Sequence, residues 1–395
     1  MTKGNGKTYI FSLFFIFGIS TMGWVGRFPE LKAHLGLKNG QFGTVLSLVT
    51  IGGLISLLVV GHVVHRFGTL PVMLISSFSF QFLIGLMVHL TSVPLFILSN
   101  FLLGMAVAGF HISVNAQALH EQERLGEMIM PKAAGLWSAG SLLTVLISGA
   151  LASHVSLVWH IDILEITSFL MMLVLFQKIR PYSLRANEFN DDETSIGRIF
   201  KDFHINWPIS IGMLMGIQLE FSSGDWATIY SKEDLSFNAG VATIPYMCFV
   251  FSMILGRLLI NKVSDRIPLE KLVKSGGIIG GAGFIIGLEL SHYFRDRSPS
   301  IAFFSICFAF LIGGFGSSFL GPVFLIAANR ASSSPGGVVV GHLGVTNSAL
   351  TFLVKAIIAW TAQWLSLSVA LLIPGVMLIA VSLFAKVVVK EPVSS

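Results

Sequence analysis

Glu220 and Asp225 are two carboxylates inside an otherwise apolar run from about Pro208 to Tyr230, within Gly216-Ile217-Gln218-Leu219-Glu220-Phe221-Ser222-Ser223-Gly224-Asp225-Trp226. A charge at membrane depth costs at least about 2.5 kcal/mol, so it is normally paired, water-exposed or functional. Carboxylates so placed can carry a proton, bind a polar solute, or close a fixed ion pair with a neighbouring helix. Lys355 interrupts another apolar run. At about 1.5 Å per residue, Glu220 lies about 20 Å from a helix start near Trp207, Asp225 about 27 Å, and Lys355 about 25 Å from a start near Val338. Asn347, Thr351 and Lys355 recur at four-residue steps and fall on one helical face.

The first half of the chain offers different chemistry. Gly104, Ala108, His111 and Asn115 recur at near-helical steps. The small residues let helices approach closely, while His111 and Asn115 face inward. A single histidine on an apolar helix is most often a hydrogen-bonded core residue; its ordinary pKa of about 6.5 keeps proton relay as the other reading. Ser20, Trp24 and Arg27 share a face, and Arg27 with Glu30 reads as an interfacial anchor or gate at the outer end of its helix. Trp24, Trp137 and Trp226 can stack on a ring-bearing solute or join the interfacial aromatic belt. The belt is the better reading for Trp137; for Trp226 both stand.

The elements that hold these residues are set by composition. The chain has 395 residues, of which 54% are hydrophobic and only 11% charged, against about 25% charged in a soluble domain. Apolar runs of about 18 or more residues, each able to span a hydrocarbon core, recur from end to end. In lipid they must be helices, because every backbone group has to be bonded within its own segment. Polar breaks give twelve spans. The first half holds about 8–28, 40–62, 71–90, 95–118, 133–153 and 158–177; the second holds about 207–230, 240–261, 272–292, 299–325, 338–361 and 366–386. The expected division is a six-helix bundle over 1–177, a cytoplasmic central loop over 178–206 containing Asn190-Asp191-Asp192-Glu193, and a second six-helix bundle over 207–395. Tyr9 to Val25 reads as the first span and not as a cleaved leader, since no small-residue cleavage site precedes a soluble domain.

With both ends cytoplasmic, most Lys and Arg fall on the inner side, Arg66, Arg124, Lys132, Lys178, Arg257, Lys271 and Arg330 among them. The net charge of +5 follows from this loop bias and implies no nucleic-acid partner. Cys248 and Cys307 lie in apolar runs and read as small buried hydrophobes. Neither a disulfide framework nor a zinc spacing is present. The halves also echo each other. At an offset of about 200 residues, Leu35-Gly36-Leu37-Lys38-Asn39-Gly40 falls on Leu235-Ser236-Phe237-Asn238-Ala239-Gly240, and His65-Arg66-Phe67-Gly68 on Asp265-Arg266-Ile267-Pro268. Parallel repeats of six spans are the build of one large class of secondary transporter.

On these residues the chain resembles the major facilitator superfamily. Gly61-His62-Val63-Val64-His65-Arg66-Phe67-Gly68 looks like its loop between spans two and three, with His65 where Asp is usual. The second copy, Ser264-Asp265-Arg266, keeps Asp-Arg and has Pro268 in place of Gly. The resemblance implies that Gly61, His65, Arg66, Gly68, Asp265 and Arg266 act as conformational latches, the first one weakened or made pH-dependent by His65. A closer resemblance is to a bacterial inner-membrane branch related to the fucose-permease group. It is carried by Trp24 to Pro29, Val114-Asn115-Ala116-Gln117, Gly135-Leu136-Trp137-Ser138-Ala139-Gly140, Glu220 with Gly224-Asp225-Trp226, Gly313-Gly314-Phe315-Gly316, and Gly321-Pro322. Gln117 stands where that branch often has Glu, Asn329 where Asp is frequent, and Ala134 where His is common.

The resemblance implies an all-α membrane protein of twelve transmembrane helices in two pseudo-symmetric six-helix bundles. It implies a secondary active transporter, not an enzyme, that moves a small polar organic solute by alternating access, coupled to a proton or another ion. Spans seven and eleven would face the central cavity. That makes Lys355 a partner for Glu220 or Asp225, either as a fixed structural pair or as a site whose charge state changes during transport. Glu220 or Asp225 would carry the proton, with Lys355, His111, Asn115 and Gln117 lining the site. The expected setting is a monomer in a bacterial cytoplasmic membrane, with no cofactor and no metal. An exporter of a drug, siderophore or metabolite on the same fold is the alternative. Span five lacks the Gly-Pro motif of many drug/proton antiporters, which lowers its weight. A sensor that no longer transports is a further alternative, motivated by Gln117 and His65. No Walker-type phosphate loop is present, so ATP does not drive the chain directly.

Overall fold

The computed structural model describes residues 5–186, 205–264, 266–332 and 336–389. Asp265 and the Asn190–Glu193 segment lie outside the described residues. Those described form helices joined by short turns. In chain order these are α1 (Asn5–Met22), α2 (Phe28–Leu35), α3 (Asn39–Phe67), α4 (Thr69–Met87), α5 (Val93–Leu125), α6 (Met130–Leu151), α7 (Leu157–Ile179), α8 (Trp207–Glu233), α9 (Ala239–Ala242), α10 (Ile244–Ser264), α11 (Leu269–Phe294), α12 (Pro299–Ser317), α13 (Leu320–Arg330), α14 (Gly336–Trp364) and α15 (Leu367–Ala380). Single 3-10 turns follow α1 at Val25–Arg27 and α7 at Arg180–Tyr182, and a longer 3-10 stretch, Val381–Val389, follows α15.

The starts follow local chemistry. Proline opens α5, α6, α8 and α12 in the first turn, where its missing N–H costs nothing. The side chains of Asn206, Asn238 and Ser366 accept from backbone N–H groups of α8, α9 and α15, satisfying donors the helix leaves open. Gly126 ends α5 in the left-handed conformation at φ 67°.

Among the described residues, eleven helical segments are long and apolar enough to cross a membrane. The twelfth, α8, has the length at 27 residues but not the apolarity, since it carries Glu220, Asp225, Lys232 and Glu233. Three expected spans are interrupted. The first stops at Met22 instead of running to 28, and the 3-10 turn and α2 follow it. The eighth pauses at Thr243, just before Pro245, whose ring cannot donate to the preceding turn. The tenth breaks between Ser317 and Leu320 and runs on to Arg330.

The chain divides into two compact units, 1–35 with 48–202 and 36–47 with 203–395. The opening turns of α3 thus group with the second unit. In the first unit α1 packs on α5, α6 and α7, and α4 on α5 and α7. Phe17, Phe80 and Phe110 form its aromatic centre, with Phe17–Phe110 centroids 4.8 Å apart. Lipid tails are as apolar as leucine, so burial drives little and close packing decides. Gly18 and Gly140 serve this need: a Cβ on Gly18 would collide with the Trp137 carbonyl, and one on Gly140 with the Phe15 carbonyl. In the second unit α12 packs on α10 and α11, α11 on α15, and α8 against α13, α14 and α15. Large apolar side chains such as Ile163, Phe304 and Leu383 stand exposed, which suits a surface facing hydrocarbon.

Candidate functional site

In the second unit, α8 carries both acids of the sequence reading, and the structure gives each a cation. Lys355 on α14 reaches Asp225, Nζ to Oδ2 at 2.8 Å. Its ammonium also lies 5.7 Å from the centroid of the Phe221 ring. Arg257 on α10 donates from one terminal nitrogen to both oxygens of Glu220, at 3.1 and 3.3 Å, and from Nε to the Ser318 carbonyl at 3.0 Å. The two pairs differ in access. Lys355 and Asp225 are 9% and 17% exposed, Arg257 and Glu220 34% and 31%. Lys355 is thus the partner of Asp225. Arg257 is a partner the sequence reading missed, having placed it among loop charges at the inner end of a span taken to stop near 261.

The neighbours of these pairs are polar and tightly held. Tyr246 of α10 is buried, and its hydroxyl lies beside Gly224, 3.6 Å from where a Cβ would stand. Asn347 and Thr351 are buried on α14. Asn347 donates to the Leu343 carbonyl at 3.2 Å, and its side-chain oxygen is buried without a partner. Gln218 donates to Ser222 at 3.3 Å, and its oxygen is likewise unmatched. Gln218, Ser222 and Asp225 follow at steps of four and three residues on one face of α8, a stripe legible in the sequence but not drawn from it. Trp226 is 2% exposed and packs where a Cβ on Gly43 would strike its ring. It offers no open face for stacking.

The first unit distributes its candidates. His111 is exposed, and its ring stacks on Phe17 with centroids 6.0 Å apart. Asn115 is half-buried one turn further on. Gln117 points elsewhere. It is fully buried, accepts from Thr69 Oγ1 at 2.5 Å and Leu184 N at 2.9 Å, and donates to the Tyr182 carbonyl at 2.8 Å. It fastens the chain after α7 to the start of α4 and lines no opening. Trp24 is buried, its ring edge-on to Phe28. Arg27, read as an interfacial anchor or gate, is 1% exposed. Because α1 ends at Met22, the 3-10 turn brings the guanidinium inward, onto both Glu30 oxygens, the Val155 carbonyl and His160 Nδ1.

Among the latch residues, Gly61 and His65 are half-buried on α3 and Arg66 is exposed, 5.4 Å from the Phe67 ring centroid. Gly68 adopts φ 81°, and a Cβ there would lie 2.8 Å from the Leu184 carbonyl, so only glycine fits. Arg266 is exposed. Sequence reasoning also passed over α7. It carries His160, Asp162 and Glu165 within six positions, and Glu165 is 3% exposed and accepts from the Ser20 hydroxyl. Among the described residues no group of three or more His, Cys, Asp or Glu could hold a metal ion.

A polytopic helical chain that pairs Glu220 and Asp225 of one helix with cations on two others has the make-up of a membrane transporter. The family model of the Major Facilitator Superfamily matches residues 10–354, and the chain belongs to that superfamily. An uncharacterized MFS-type transporter of Yersinia pestis is 24% identical over 383 residues, covering 95% of this chain and 94% of the relative. The membrane protein MosC of Rhizobium meliloti is 24% identical over 282 residues, 71% of this chain and 67% of its own. Among solved structures, the nucleoside transporter NupG aligns with a TM-score of 0.74 at 15% identity, over 98% of this chain and 100% of its own. The D-xylose-proton symporter aligns at 0.71 and 16%, over 98% and 97%. These likenesses bear out the fold.

Proposed function

We propose that this transporter moves a small polar organic solute, sugar-like or an organic acid, across a bacterial cytoplasmic membrane by alternating access, coupled to protons. It works as a monomer with both termini inside. The Asp225–Lys355 pair carries the reading. A proton and the Lys355 ammonium compete for the same carboxylate. A solute with an acceptor group draws Lys355 away, and Asp225 is then free to take the proton. Loading of solute and proton thus become mutually dependent, which is what coupling requires. Glu220, held by Arg257 at longer distances, is the second candidate for the proton. Thr351, one turn from Lys355, and Tyr246, beside Gly224, supply polar atoms near the pair, and Asn347 and Gln218 extend the polar faces of α14 and α8. Support by likeness comes from the nucleoside transporter NupG and the D-xylose-proton symporter.

The test starts with a thermal-shift screen of the purified protein against sugars, nucleosides, organic acids, siderophores and drugs. Ligands that raise the melting temperature go into proteoliposomes with an imposed proton gradient. Uphill, saturable accumulation is expected for the wild type. Asp225→Asn is expected to exchange solute but not accumulate it. Accumulation by both Asp225→Asn and Glu220→Gln would overturn the coupling assignment. Failure of every stabilising ligand to cross would favour the sensor reading, and extrusion against the gradient the exporter.

A further inference from the structure

The first unit holds a carboxylate that the transport reading does not use. Glu165 sits about 12 Å along α7 from its outer start at Leu157. It is 3% exposed. Its Oε2 accepts from Ser20 on α1, while Oε1 is buried with no partner. Four further buried polar atoms of α6 and α7 lack partners: Trp137 Nε1, Thr144 Oγ1, Ser148 Oγ and His160 Nε2. An ionised carboxylate with a single hydroxyl donor and no cation would carry the full desolvation penalty.

Of the charged groups on the elements packed against α7, Lys7 of α1 pairs with Glu127, and Arg180 is exposed past the other end of α7, about 22 Å along the axis from Glu165. Arg27, after α1, is held by Glu30, His160 and the Val155 carbonyl. His89, just past α4, pairs with Asp162 at 2.9 Å. A groove of about 390 Å³ runs between α4 and α7, lined by Gln81, Gly85, His89, Asp162 and Glu165, with Phe82 on its wall. At the end of the groove near Leu157 the His89–Asp162 pair is exposed, with side chains 51% and 30% accessible. The groove therefore joins an exposed proton donor–acceptor pair to a buried acid.

We propose that Glu165 is a proton-binding site of the first unit, holding a proton on Oε1 in the resting carrier and exchanging it with the outer side through the α4–α7 groove. The step is simple: hydronium at the groove mouth gives up its proton, a carboxylic O–H forms, and water remains. A place for this proton in coupling rests on the transport reading above; its presence on Glu165 does not.

Infrared difference spectroscopy of purified protein in lipid tests this without any solute. At neutral pH the wild type should show the carbonyl stretch of a protonated carboxylic acid. Glu165→Gln should remove it, and Ser20→Ala, which deletes the hydrogen bond, should shift it. In heavy water the band should move to its deuterated position, and more slowly in Gly85→Leu, whose side chain fills the groove. A wild type without the band, or a band unchanged in both Glu165→Gln and Ser20→Ala, overturns the proton assignment. An exchange rate unaffected by Gly85→Leu overturns the route. If Glu165→Gln does not fold, the Ser20→Ala shift alone decides.

Discussion

Lys355 and Asp225 form the shortest of the interior pairs in the second unit, and each is costly without the other. Removing one partner of a buried pair leaves an uncompensated charge, at about 3–5 kcal/mol. Asp225 keeps some exposure, so Lys355→Met is expected to cost about 3 kcal/mol, the lower end of that range. Asp225→Leu combined with Lys355→Met should recover most of the loss. Thermal melts of the two single variants and the double variant measure the coupling; additive losses would mean that the pair is not energetically linked. At this scale the sequence was half legible. Scarce charge in an apolar run exposed Glu220, Asp225 and Lys355, and depth arithmetic put Lys355 within reach of both acids without saying which it joins. Arg257 escaped because it sits near a helix end, and α10 continues past the point where polarity suggested it stopped. Glu165 was legible by the same rule, since with His160 and Asp162 it interrupts the apolar run 158–177, but no motif of the resemblance falls there.

Helices meet through their smallest residues. Gly18 and Gly140 bring α1 and α6 into backbone contact, and overpacking such a seam costs about 1–3 kcal/mol, sometimes more. Gly18→Val is expected to lose the monodisperse peak on size-exclusion chromatography. Gly135→Ala, on the same α6 with open space where the methyl would go, should leave it intact. At the end of α7, Gln117→Leu removes the acceptor of Leu184 N and the donor to the Tyr182 carbonyl. A buried donor left open costs about 1–3 kcal/mol, and the segment after Tyr182 should then be cut faster in limited proteolysis. Hydropathy found where each helix lies but not where it breaks. The stops at Met22, Thr243 and Ser317 fall inside apolar runs. What interrupts them is proline or local turn geometry, and neither changes the mean hydropathy of a window.

For the whole molecule, the proposed orientation rests on the bias of Lys and Arg toward one side. In a background where Cys248 and Cys307 are replaced by serine, His154→Cys and Asp296→Cys should react with an impermeant maleimide added outside intact cells. Glu123→Cys and Arg266→Cys should react only after lysis. All four positions are exposed, so a reversed pattern would reverse the topology. The repeat of six and six spans was visible as two short matches at one offset. The grouping of 36–47 with the second unit was not, since a continuous helix gives no polar break to mark it.

The matched pairs of the second unit have an electrical consequence. Glu220 with Arg257, and Asp225 with Lys355, bring two negative and two positive charges, so this group of four carries no net charge. Moving one elementary charge through the membrane potential is worth about 2.3 kcal/mol per 100 mV. A carrier returning empty with both pairs closed does no such work with these groups. Its return should be indifferent to voltage, and a current should appear only when an ion or a charged solute rides with it.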